Sequence, residues 1–367
     1  MKIAIVHNLY DGGALNLLIS ITKSLISSNK IDIFSLNNSK IDLLRKISTN
    51  YFSYKLSTTN NIFSHLYQVF SELPQLNKKI AQKINTNNYD LILIFPCILT
   101  QSPYILQYLS KDLKTFYLFT EPKREFYEIT SFDYYSIKRF LSRILRLPIK
   151  FIDIKNCRSA QNIISLSYYE QNILHKVYKK SSYVIHPFLS EISPIKIKKI
   201  NNHKFLSVGA LSKIKGHDFS LKILKNLSNK ITILGRETKD TGHIFRYAKQ
   251  NSIKINLIKT ENDDKKNLLF KKFSLYLANQ ENEPFGISTL EAADSDCYLC
   301  GRNIGGTSEI IKHGLNGILL PEDINISNKI LKTIEKNKYL NFYKTCKIDV
   351  SDTISKILKI YNYIYAN

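Results

Sequence analysis

The sequence predicts two doubly wound α/β domains, each a parallel sheet wrapped by helices. Three observations lead there. Short apolar runs alternate with longer helical patterns through the first half. The same alternation restarts just after residue 200. Glycine-bearing turns recur where an apolar run gives way to a helical one, as at Gly12-Gly13, Gly209 and Gly305-Gly306. At 367 residues, 44% of them hydrophobic, the chain has material for two cores of ordinary size.

In chain order, the first set of apolar runs predicts strands at residues 2–8, 32–36, 91–97, 115–120, 162–167 and 183–187, with helices between most of them, for example over 14–27. Residues 193–203 are polar and lysine-bearing with one proline, and read as a linker. The second set predicts strands at 204–209, 230–235, 253–258, 273–278, 297–301 and 317–320. Residues 350–365 close the chain as a helix. The resulting division is 1–195 for the first domain, 196–203 for the linker and 204–345 for the second domain. Residues 346–367 form a last helical segment that packs back on the first domain. In such sheets ligands bind at the carboxyl ends of the strands, so a site is expected in the cleft between the two.

Composition narrows the class. The opening residues do not read as a secretory leader, and the longest apolar run, 91–99, is far below the roughly 20 residues of a spanning helix. Five scattered cysteines read as free thiols in a reducing cytoplasm. Cys297 and Cys300 are expected on one buried strand rather than as half of a zinc site, since no second ligand pair accompanies them. The net charge of +23 favours an anionic partner. Because no nucleic-acid module accompanies the charge, phosphorylated substrates or an acidic membrane surface are expected instead. The G-x-G-x-x-G fingerprint is absent, which argues against a nicotinamide or flavin cofactor, and no P-loop, G-x-S-x-G or H-E-x-x-H occurs. Neither a cofactor nor a metal is expected.

The most informative stretch is EPFGISTLE at 283–291. A helix starting here offers unpaired N–H groups to a diphosphate, and Gly286 removes the side chain that would keep phosphates away. Glu291, about two turns in, can accept two hydrogen bonds from a ribose diol, and Glu283 can hold hydroxyls of a sugar. Gly12-Gly13, after the first strand, lets backbone approach a phosphate or sugar, or is simply a tight turn. After Gly209, Lys213 and Lys215 precede Gly216, where a lysine can neutralise a diphosphate or merely face solvent. Gly305-Gly306-Thr307-Ser308 is a third such turn, phosphate-cradling or capped by Thr307 or Ser308. Thr120, Glu121 and Arg124 end a strand, where a carboxylate and a guanidinium can meet a second substrate or pair with each other. Residues 137–151 form a basic amphipathic helix. Ile137, Phe140, Leu141, Ile144 and Leu145 occupy one face, against Lys138, Arg139, Ser142, Arg143 and Arg146. Such a helix lies on an anionic membrane or turns its apolar face to the core.

Together, in this order, these motifs resemble the retaining nucleotide-sugar glycosyltransferases of family 4, which have the two-domain GT-B architecture. EPFGISTLEA (283–292), GGTSEII (305–311) and HGLNGILLP (313–321) carry the resemblance most specifically. It implies a hexosyltransferase-type enzyme that takes its sugar from a UDP- or GDP-linked donor. The acceptor would be a sugar or a lipid-linked molecule, as in surface polysaccharide or glycolipid assembly. The implied place of work is the cytoplasm or the inner face of the cell membrane. Lys215 and Glu283 would be the catalytic pair. Gly209, Lys213, Lys215, Gly235, Arg236, Glu283, Phe285, Gly286, Ile287 and Glu291 would bind the donor, in the second domain. Gly12, Gly13, Thr120, Glu121 and Arg124 would lie on the acceptor side, in the first. The departing phosphate would itself take the acceptor's proton. Three departures stand out. Ala210 replaces the family's usual arginine, Thr120 its frequent histidine, and Asp296-Cys297-Tyr298 its Gly-x-Pro turn. They leave open a rival reading, a weakly active or inactive partner protein that binds a sugar nucleotide. A sugar-nucleotide epimerase would show an isomerised donor instead of a new glycoside.

Overall fold

A computed structural model describes residues 1–36, 39–127, 137–187, 205–259, 263–336 and 353–365. Side chains are described throughout these except at 137–143, 263–265, 267, 335–336, 353–354 and 365. The chain divides into two compact units, Met1–Phe188 with Asp352–Asn367, and Leu189–Ser351. The expected linker at 193–203 lies outside the described residues.

The first unit holds β1 (Lys2–Asn8), β2 (Lys30–Ser35), β3 (Asn50–Ser53), β4 (Leu91–Cys97), β5 (Thr115–Phe119), β6 (Asn162–Ser165) and β7 (Tyr183–Val184). They form one parallel sheet in the order β3-β2-β1-β4-β5-β6-β7. The second unit holds β8 (Phe205–Val208), β9 (Lys230–Leu234), β10 (Lys254–Ile258), β11 (Leu275–Ala278), β12 (Tyr298–Arg302) and β13 (Gly317–Leu320). Its parallel order is β10-β9-β8-β11-β12-β13. Helices cover both faces of such sheets, so central strands bury side chains on both sides, and all seven residues of β4 are buried. In each sheet the chain reverses its direction of travel beside the first strand, between β1 and β4 and between β8 and β11. That reversal opens a crevice at the strands' carboxyl ends.

The predicted strands fall within a few residues of those observed, and the first helix runs Gly13–Leu25. The exception is β3, a partly exposed strand of only four residues that the sequence reading missed. Cys297 stands just before β12 rather than on it and gives its thiol to Phe270 O at 3.3 Å, while Cys300 is buried within the strand. The final helix, Thr353–Tyr365, belongs to the first unit, where Lys114 Nζ donates to Tyr361 Oη at 2.9 Å.

The helix over Ile137–Ser159 does not turn its described apolar residues uniformly inward. Ile149, Asp153, Asn156 and Cys157 are buried, whereas Ile144, Leu145, Leu147 and Phe151 are 41–70% exposed. A four-residue repeat of polar and apolar side chains thus fills the inner stripe with Asp153 and Asn156. These are satisfied by the Ser102 backbone: Ser102 N donates to Asp153 Oδ1 at 2.9 Å and Asn156 Nδ2 donates to Ser102 O at 2.8 Å.

At the carboxyl end of β1, His7 is 1% exposed. Its Nδ1 accepts the Leu9 N–H at 3.4 Å, and Nε2 has no hydrogen-bond partner among the described residues. Burial disfavours the imidazolium and pushes the pKa from 6.5 down to about 4. A depressed folded-state pKa contributes stability that is present above pH 6.5 and lost as pH falls through about 4. Between those limits the native protein should lose about 3 kcal/mol relative to a His7→Gln variant. Denaturant unfolding of both proteins at several pH values checks this, and a pH-independent difference would refute it.

Candidate functional site

The second unit assembles its site from two loops that leave neighbouring strands at the reversal point. The first follows β8. Leu211 N donates to Arg236 O at 2.8 Å, Lys213 N to Asp240 Oδ2 at 3.2 Å, and Glu281 N to Ile214 O at 2.9 Å. The fully buried His217 holds the loop from beneath, with Nε2 3.1 Å from Ala210 O, and burial lowers its pKa. Gly216, at φ +66°, turns the chain into the helix His217–Leu224. It is pressed so close to the end of β11 that a Cβ there would lie 1.6 Å from Asn279 O. These ties leave Lys215 little freedom, and its stem packs over Gly209, where a Cβ would meet Lys215 Cγ at 3.0 Å.

The second loop follows β11 and carries Glu283, Phe285 and Gly286 into the helix Ile287–Asp294. Gly286 is the N-cap at φ +97°, a conformation that costs other residues energy, and no side chain caps the helix. The first amides, at Ile287 and Ser288, therefore lie beyond the reach of the helix's own carbonyls. Thr307 Oγ1 lies 2.8 Å from where a Gly286 Cβ would stand.

These two loops bring Lys215 and Glu283 together. Lys215 Nζ donates to Glu283 Oε2 at 3.0 Å, although 68 residues separate them. The lysine and carboxylate side chains are 28% and 18% exposed. Glu291 lies in the second turn of the helix that follows, and Phe285 is buried. Gly235 follows β9 directly and packs against Gly209, and Arg236 is exposed beside it. In the first unit, Thr120, Glu121 and Arg124 follow β5, with Arg124 Nε donating to Glu121 Oε2 at 2.5 Å. Gly12 starts the helix Gly13–Leu25 in extended backbone, with open space where a Cβ would be, so nothing in the chain itself demands glycine there.

Two features differ from the sequence reading. The Gly305–Ser308 turn supports the site rather than being capped by Thr307 or Ser308. Gly306 N donates to Glu283 O at 2.8 Å, a Gly306 Cβ would strike Pro284 O at 2.0 Å, and Ser308 Oγ donates back to Gly305 O. The sequence reading also passed over Lys266, whose Nζ donates to Glu291 Oε1 at 2.6 Å. A lysine in a run of lysines gave no signal.

Chemically, the two loops offer a cation, two carboxylates and a helix N-terminus at one end of one sheet. That set suits an anionic ligand that also carries hydroxyl groups.

The family described as "Glycosyl transferases group 1" matches residues 190–347. An uncharacterised glycosyltransferase of Haemophilus influenzae is 23% identical over 200 residues, 52% of this chain and 55% of the relative. The human alpha-1,3/1,6-mannosyltransferase ALG2 is 25% identical over 230 residues, 54% of this chain and 55% of that protein. The chain thus spans about half the length of the curated relatives it matches. Anabaena HepE, solved in complex with UDP and glucose, has a TM-score of 0.72 at 16% identity, covering 99% of this chain and 100% of that one. That likeness is one of fold, two parallel-sheet α/β domains as in GT-B glycosyltransferases.

Proposed function

We propose that this chain, which has the GT-B fold and matches the group 1 glycosyltransferases over residues 190–347, is a retaining hexosyltransferase that uses a UDP- or GDP-sugar donor. The acceptor is a sugar or lipid-linked molecule of surface polysaccharide or glycolipid assembly. The observation that carries this reading is the Lys215–Glu283 pair at 3.0 Å beside the Gly286-capped helix. On this reading Lys215 and the helix amides meet the diphosphate, and Glu283 meets the attached sugar. In the unliganded protein the two side chains neutralise each other. On donor binding, Lys215 exchanges its carboxylate for the diphosphate, and Glu283 turns its oxygens to sugar hydroxyls.

In the reaction the bond from the sugar's anomeric carbon to the phosphate oxygen breaks, and a bond to the acceptor oxygen forms on the same face. The acceptor's proton passes to the departing phosphate, so no protein base takes part. The protein contributes placement and charge stabilisation, with Lys215 and the amides of Ile287 and Ser288 on the leaving diphosphate. Gly209, Lys213, Gly235 and Arg236 border the donor. Gly12, Gly13, Thr120, Glu121 and Arg124 are assigned to the acceptor.

Transfer or hydrolysis of UDP- and GDP-sugars by the purified chain tests this reading, with Glu283→Ala and Lys215→Ala as controls. Native-level turnover in both variants would remove the roles assigned here. Tight donor binding without turnover in the native protein would favour the rival, a sugar-nucleotide-binding partner; Ala210, in place of the family's usual arginine, is the feature that favours it.

The exposed Ile144, Leu145, Leu147 and Phe151, on a helix that also carries Lys138, Arg139, Arg143 and Arg146, support peripheral contact with an anionic membrane. Sedimentation with phosphatidylglycerol vesicles should exceed that with phosphatidylcholine vesicles. It should fall with salt and be weakened by Leu147→Ser with Phe151→Ser. Equal sedimentation with the two lipids would contradict the proposal.

A further inference from the structure

The structure of the second unit points to a role for a residue outside the expected set. We propose that Lys266 positions Glu291, holding its carboxylate for the ribose of the donor and so setting the preference for ribonucleotides. The proposal rests on the reading of Glu291 as the ribose ligand.

Lys266 stands on the helix Asp263–Lys272, which leads into β11, and Glu291 on the helix Ile287–Asp294, which leaves it. The two helices pack together, and Lys266 Nζ lies 2.6 Å from Glu291 Oε1. The side chains are only 19% and 13% exposed. By contrast, Lys259 and Glu237 form a 2.7 Å pair at 61% and 56% exposure, where water screens the attraction and chain entropy opposes it. A pair as enclosed as Lys266–Glu291 behaves differently. An acid taken out of water needs a compensating charge, and removing one partner leaves the other costly.

Geometry gives the cation a second effect. A glutamate side chain has several rotatable bonds, and a free carboxylate samples many orientations. A charge-assisted hydrogen bond on Oε1 fixes the plane of the carboxylate, and with it the direction from which ribose hydroxyls meet the acid. The cost of ordering the acid is thus met before the ligand arrives. Lys266 itself touches no ligand in this account and acts through Glu291.

The test is equilibrium binding of UDP and 2′-deoxy-UDP, and of GDP and 2′-deoxy-GDP, to the full chain. Native protein, Lys266→Met, Lys266→Arg and Glu291→Gln are compared. The native protein should prefer the ribonucleotide by about tenfold or more, the usual worth of a hydrogen bond to a charged group. Lys266→Met keeps the aliphatic stem and should lose most of that preference, while Lys266→Arg should keep it. If the methionine variant does not fold, Lys266→Gln takes its place with the same expectation. An unchanged preference in Lys266→Met, an equal loss of affinity for both nucleotides, or tighter ribonucleotide binding would overturn the proposal. A native preference that Glu291→Gln leaves intact, or a native protein that binds none of the four nucleotides, would instead sink the reading of Glu291.

Discussion

Replacing Lys215 by alanine should lower the rate of the proposed sugar transfer by about 10²- to 10³-fold, the usual cost of deleting one donor to a developing negative charge. In the proposed reaction charge builds on the phosphate oxygen as its bond to the sugar breaks, so the loss should appear chiefly in kcat. The lysine is held by its surroundings: its stem packs over Gly209, its amine meets Glu283 at 3.0 Å, and its loop is tied to β9 and β11. Glu283, at 18% exposure, also loses its partner, so a modest fall in stability should accompany the kinetic loss. Steady-state kinetics with thermal unfolding as a control separate the two effects. A variant with native kcat and native stability would show that Lys215 does not stabilise the leaving group.

Gly216→Ala should unfold the second unit more easily, by about 3 kcal/mol. The substitution meets two obstacles. At φ +66° the backbone occupies the left-handed region, and the added Cβ would stand 1.6 Å from Asn279 O, a backbone atom that cannot swing aside. Either the turn or the end of β11 must move, and both carry the site. The expected fall in Tm is roughly 6–12 °C for a unit of this size. Gly12→Ala is the internal comparison. Its backbone is extended and its surroundings are open, so stability should stay within about 0.5 kcal/mol of native. Equal Tm values for the two variants would contradict the packing described at Gly216.

The sheets were legible because strands buried on both faces read as short apolar runs, as LILIFPC does at β4. The strand β3 escaped because NYFS is four residues long, lies at an edge and begins and ends with polar residues. Individual site residues were legible from local chemistry, but their meeting was not. Lys215 and Glu283 are 68 positions apart and come together only because β8 and β11 are neighbours across the reversal of the sheet. Nothing local to either motif records that adjacency. Gly305-Gly306 suggested a phosphate cradle, yet its lack of side chains serves the approach of another loop's backbone. Lys266 was hidden by composition, since one lysine among many stands out only when a fold seats it against a carboxylate. The helix over Ile137–Ser159 shows the reverse problem. Its periodicity is plain, but Asp153 and Asn156 take the inner stripe through bonds to the distant Ser102 backbone, and apolar residues face outward.

The most direct test is a structure of the full chain with a bound nucleotide sugar. The diphosphate should lie within hydrogen-bond reach of Lys215 Nζ and the Ile287 and Ser288 amides, with Glu283 on the sugar and Glu291 on the ribose. A nucleotide bound elsewhere, with Lys215 still paired to Glu283, would contradict the account.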